Sequence, residues 1–179
     1  MKLTRRQTLL SGAALPLAAT APSIAAADGH AAALPTHRDF TLGDFKVTTL
    51  LAGSRSVGDP QTIFGMNVDA ETFSDVSAAN FIPADVAQFF FPPTVVNTGE
   101  EVSLFDTGLN PGGTGAALNA AGYTPADITH VVITHMHGDH IGGLADESGA
   151  ETFTNAAYLT GQVEFDHWAG AENDNFEAK

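Results

Sequence analysis

The stretch from Val131 to Leu144 reads V-V-I-T-H-M-H-G-D-H-I-G-G-L, and it limits what the chain can become more than any other segment. Val131 to Ile133 is too short and too β-branched for a helix, which predicts a buried strand ending at Thr134. His135 and His137 follow at i and i+2. In extended backbone that spacing puts both imidazoles on one side, where they can share one ion at about 2.0–2.1 Å. Gly138 lets the chain turn sharply, so Asp139 and His140 point onward, toward a second ion beside the first. Ile141 to Leu144 is expected to open a helix whose positive end faces anions. A single histidine beside a strand is ordinarily a satisfied surface or core residue. Four ligand-type side chains at H-x-H-x-D-H spacing, on a strand-to-loop transition, favour a metal site instead.

The run from Thr134 to Gly143, T-H-M-H-G-D-H-I-G-G, resembles the signature motif of the metallo-β-lactamase-fold hydrolases. Upstream, Leu104-Phe105-Asp106-Thr107-Gly108 resembles that family's first motif, a strand ending in an aspartate that braces the metal loop. The resemblance covers roughly residues 40 to 168. It implies an α/β chain forming the first half of an αββα sandwich. His135 and His137 match ligands of a first metal and Asp139 and His140 those of a second, while Asp106 would hold the metal loop through hydrogen bonds. The implied cofactor is Zn²⁺, one ion or two, with Fe or Mn as alternatives that His and Asp ligands suit equally.

The implied chemistry is hydrolysis of a small-molecule lactone, ester or phosphotriester by a metal-bound hydroxide, with Asp139 also accepting a proton during turnover. The export signal described below, the acidic surface and the segment from Phe89 to Gly108 look most like the lactonase and organophosphate-hydrolase branch. A glyoxalase-type thioesterase or a persulfide dioxygenase shares the motif. In the family three further ligands come from later motifs. No histidine follows His167 and no G-H-T-x-G-H-like segment occurs, so the domain is expected to be incomplete at its C-terminus. A truncated, inactive metal-binding fragment is the competing expectation. The isolated chain is expected to be poorly stable, aggregating, or associated with a partner, another copy or the missing second half, because an uncovered sheet face exposes a large apolar patch.

Residues 1–27 are unlike the rest. Lys2, Arg5 and Arg6 precede an apolar, alanine-rich stretch from Leu9 to Ile24, and Ala25-Ala26-Ala27 closes it, which reads as a cleavable signal peptide. Thr4-Arg5-Arg6-Gln7-Thr8-Leu9-Leu10 resembles the twin-arginine export signal, with Thr8 in place of the usual phenylalanine. Periplasmic or secreted bacterial localisation follows as the expectation. Pro16 and Pro22 interrupt the apolar run, so no stable membrane anchor is predicted. Residues 28–39 read as a mobile leader and 40–179 as the metallo-β-lactamase-like domain.

Without the signal, four basic residues (Arg38, Lys46, Arg55 and Lys179) stand against 21 acidic ones, a formal charge of −17. Such a surface repels polyanions, so nucleic acid is not an expected partner. The chain has no cysteine, and its stability must come from packing, metal or association.

Within the domain, Gly43-Asp44 between Phe40–Leu42 and Lys46–Leu51 predicts a hairpin. Gly53 to Pro60 reads as a loop. Relatives often carry an aspartate just before this glycine, where Ala52 stands here. Asp69-Ala70-Glu71 opens a predicted helix, and Pro83-Ala84-Asp85-Val86 predicts another short one. Phe89-Phe90-Phe91 is either an apolar strand stopped by Pro92-Pro93 or a substrate-pocket wall, and Phe64 and Phe90 are the candidate pocket residues. Val95 to Phe105 predicts a second hairpin, and Thr114 to Ala121 a helix capped by Gly122. Thr124 and Pro125 start a short helical turn. After the motif, Ala156–Thr160 reads as a strand and Gln162–Trp168 as a helical turn, with Glu164 and Trp168 structural.

Overall fold

The computed structural model describes residues 34–170, so the expected signal segment and the tail from residue 171 lie outside it. Eight strands occur among the described residues. Six form one sheet: β1 (His37–Leu42), β2 (Phe45–Leu50), β5 (Thr94–Asn97), β6 (Val102–Phe105), β7 (His130–Ile133) and β8 (Ala157–Thr160), in the order β1-β2-β5-β6-β7-β8. The first four run antiparallel to their neighbours, whereas β6, β7 and β8 are parallel. β3 (Gly53–Gly58) and β4 (Val86–Phe91) pair separately as a two-stranded antiparallel ribbon.

The helices are α1 (Ala70–Ala79), α2 (Pro111–Ala120), α3 (Gly138–Ile141) and α4 (Gln162–Ala169). α1 starts where Asp69 accepts the Thr72 N–H at 2.8 Å, the expected cap. α2 starts earlier than predicted. Asn110 caps it by accepting from Gly113 N at 2.8 Å, and Pro111 takes the first position, where its missing N–H is harmless. No described helix is long and apolar enough to cross a membrane.

Strand register sorts the sheet's side chains onto two faces. Val95 lies opposite Leu104, which pairs with Val131, and all three are fully buried. They share a core with Leu50, Leu118 of α2, Tyr123, Ile128 and Phe153. The other face carries Phe40, Leu42, Phe45, Val47, Val96, Phe105, Val132 and Leu159 in matching register. It is equally apolar in composition, yet Leu42 is 66% exposed, Phe40 51% and Leu159 47%.

Three expectations need correction. Gly53–Gly58 is strand β3, because pairing with the phenylalanine-rich β4 extends a segment whose own composition reads as a loop. Pro83 to Asp85 forms no helix. It is a bend feeding β4, and Val86 already belongs to the ladder opposite Gly58. The helix expected to open at Ile141 is α3, which starts at Gly138 and ends at Ile141.

Candidate metal centre

β6 and β7 are parallel neighbours, so their C-terminal ends lie together at one edge of the sheet, and both sequence motifs leave from that edge. Asp106 follows β6 with φ 59°, a left-handed conformation that is strained for a residue with a Cβ. The turn aims its carboxylate at the loop after β7. Oδ1 accepts from Thr134 N at 2.8 Å and Oδ2 from Thr134 Oγ1 at 2.8 Å. Oδ2 also meets His140 Nδ1 at 2.8 Å.

Thr107, fully buried, adds a second clamp. Its N–H and its hydroxyl both donate to the His140 carbonyl at 2.8 Å, and the hydroxyl accepts from Gly143 N at 3.1 Å. Its own carbonyl accepts the hydroxyl of buried Thr114 on α2. Gly142 and Gly143 complete the seating. A Cβ on Gly142 would come within 2.2 Å of the Leu109 carbonyl oxygen, and one on Gly143 within 2.2 Å of the Thr107 oxygen. The two glycines permit backbone to lie directly on backbone.

α4 holds the loop from the other side. Glu164 Oε1 accepts from Met136 N at 2.8 Å and from Trp168 Nε1 at 2.6 Å. The Met136 N–H, before any other cause, holds the Glu164 carboxyl below its ordinary range. The E-x-x-x-W pair is therefore a structural device acting on the residue between His135 and His137.

The three histidine rings are gathered on this platform. The His135 and His140 centroids are 3.8 Å apart, and those of His135 and His137 are 4.6 Å apart. With Nδ1 of His140 turned to Asp106, its Nε2 faces the Asp139 carboxylate at 3.6 Å. Engaging one ring nitrogen through an outer partner leaves the other as the donor atom, which is the usual arrangement behind a histidine ligand. Neutral imidazoles and a carboxylate are donors that suit a divalent ion. Among the described residues, however, no three His, Asp or Glu side chains are drawn together as a finished ligand set. His130, within β7, bonds Thr129 and stays outside the group.

Both candidate pocket phenylalanines adjoin this edge. Phe64 stacks on Phe89 with centroids 5.7 Å apart and lines a cleft of about 490 Å³ together with His137, Gly138 and Asp139. Phe90 lines a smaller recess of about 160 Å³ with Asp106, Asp139 and His140. Sequence reasoning missed Thr107, whose place after Asp106 reads as an ordinary turn, and Arg55, which lay in a presumed loop and also lines the larger cleft.

The described residues thus form a mixed α/β sheet whose parallel strand ends carry an H-x-H-x-D-H loop braced by Asp106. Residues 93–172 match the family model of the Metallo-beta-lactamase superfamily, and the described residues share the fold of solved metallo-β-lactamase-type hydrolases. The solved structure of AidC, a dizinc quorum-quenching lactonase, superposes with a TM-score of 0.68 at 25% identity, over 76% of this chain and 48% of that one. The hydrolase AbOPH, of the beta lactamase superfamily, superposes at 0.63 with 22% identity, over 75% of this chain and 47% of its own. A probable metal-dependent hydrolase from Staphylococcus aureus gives 0.59 at 24% identity, over 78% and 55%. Among curated proteins, ribonuclease Z of Pyrococcus furiosus is 43% identical over 54 residues, 30% of this chain and 17% of that protein. The chain thus spans about half the length of the solved relatives it resembles.

Proposed function

We propose that this chain is part of an exported metal-dependent hydrolase acting on a small lactone, ester or phosphotriester. The observation that carries the proposal is the braced His140. With Nδ1 held at 2.8 Å by Asp106, its Nε2 is directed to Asp139 beside the rings of His135 and His137. His135 and His137 would hold one ion and Asp139 and His140 a second, with zinc the first candidate. A divalent ion there supplies Lewis acidity and lowers the pKa of water toward about 7.

The chain's own residues do the rest. Asp106 fixes the tautomer and direction of His140, Glu164 fixes the backbone between His135 and His137, and Asp139 is placed to take a proton. Phe64 and Phe90 wall the two recesses beside these residues. A charge of −17 after the signal opposes a nucleic-acid substrate, and the ribonuclease Z similarity spans only 17% of that protein.

The second reading, an inactive metal-binding fragment, draws on the unfinished ligand set among the described residues. Elemental analysis of the folded chain separates the two. A metal-to-protein ratio near two, reduced by Asp139→Ala, together with lactone or phosphotriester turnover abolished by combined His135→Ala and His137→Ala, supports the hydrolase. A ratio well below two in folded protein, without turnover, supports the fragment, and turnover surviving the double substitution overturns metal-dependent hydrolysis.

A further inference from the structure

The wall of the cleft beside the metal loop holds one feature that hydrolysis itself does not use. Arg55 on β3 lies opposite Phe89 on β4, and its guanidinium carbon sits 5.9 Å from the Phe89 ring centroid. Phe89 is stacked between Phe64 at 5.7 Å and Phe91 at 6.5 Å. A cation therefore lies against the middle ring of an aromatic row, in the same cleft as His137 and Asp139.

The chain is strongly acidic, yet no carboxylate lies within ion-pair distance of Arg55 among the described residues. Lys46, by contrast, pairs with Asp39 at 3.0 Å. Asp139 lines the same cleft, but the nitrogen within ion-pair distance of its carboxylate is His140 Nε2 at 3.6 Å. The ring attracts the cation, and its N–H fork is left to other acceptors.

We propose that Arg55 is a specificity-determining residue that binds an oxygen acceptor, most strongly a carboxylate, on a molecule whose apolar body lies along Phe64, Phe89 and Phe91. The inference rests on the hydrolase reading of the cleft and names its substrate class: amphiphilic acids with an apolar chain and a carboxylate remote from the bond that is cut. A fork of N–H donors suits such an oxygen, and charge-assisted hydrogen bonds are about twice as strong as neutral ones.

The test is direct binding to the full chain, with a chelator present so that no metal ion can hold the probe. Octanoate is the anionic probe and 1-octanol the neutral one of equal chain length. Arg55→Met keeps an apolar stem on Phe89 while removing the charge, and Arg55→Lys keeps the charge without the fork. Octanoate affinity is expected to fall about tenfold in Arg55→Met and by less in Arg55→Lys, with 1-octanol affinity unchanged in both. Octanoate binding that is absent from the wild type, or equal in wild type and Arg55→Met, overturns the proposal. So does an equal loss of 1-octanol, which would make Arg55 a packing residue. Because the readout needs neither metal nor turnover, a failure of the hydrolase reading leaves this measurement standing.

Discussion

The two faces of the six-stranded sheet are built from the same strands and differ mainly in what covers them. On one, Val95, Leu104 and Val131 lie under α2 and the segment from Tyr123 to Ile128, fully removed from solvent. On the other, Phe40, Leu42, Phe45, Phe105 and Leu159 occupy matching positions and are 36–66% exposed. A sheet meant to meet water on one side alternates apolar with polar residues, whereas one covered on both sides is apolar throughout. The open face therefore has the composition of a covered layer, and the solved relatives run to about twice the span. The buried core lies on the closed face, and the histidine loop is tied to that side through Thr107 and through Thr114 on the buried face of α2.

The largest effect should come where the loop meets the closed half. Gly143→Ala forces a Cβ against the Thr107 carbonyl and should lower stability by about 3 kcal/mol in urea unfolding, while unseating the His140 segment. Leu104→Ala, on the closed face, should cost about 2–3 kcal/mol by the same measurement.

A smaller effect concerns Tyr158, which shares the closed face with Val131 and donates its hydroxyl to the Phe153 carbonyl at 3.2 Å. Burial, with Glu151 next, pushes its pKa from 10.0 up to about 12. The folded state therefore keeps a proton that the unfolded chain releases. Its stabilising contribution is complete below pH 10 and fades as pH rises through about 12. Phenolate absorbance should show a late-titrating tyrosine that disappears in Tyr158→Phe. A single early titration of both tyrosines in wild type would contradict this.

The smallest effect is expected on the open face. Phe105→Ala, one residue from Leu104, should change stability by less than about 1 kcal/mol and reduce self-association in light scattering. A loss matching that of Leu104→Ala would mean that the open face is already covered in the isolated chain.

Much of the fold was legible because its signals are local. The hairpin at Gly43-Asp44, the strand before Thr134 and the cap at Asp69 each follow from a few neighbouring residues. β3 was not legible, since Gly53-Ser54-Arg55-Ser56-Val57-Gly58 shows no apolar alternation and owes its extension to a partner some thirty residues away. Pro83 misled because a proline marks a helix start and a bend alike. At the metal loop, the donor residues stood out by their density, and Asp106 by its place at a strand end. The clamp by Thr107 and the reach of Glu164 to Met136 depend on tertiary contacts, which a residue pattern does not encode. Arg55 became visible only once β3 existed to place it over Phe89.

The seating of Gly142 and Gly143 has an evolutionary corollary. The spacing between the histidine loop and the strand that braces it is a contact between main chains, which substitution of surrounding side chains leaves in place. The cleft wall is made differently, from side chains on a separate ribbon. Mutation can therefore reshape the wall while the spacing between the histidine loop and its bracing strand stays fixed.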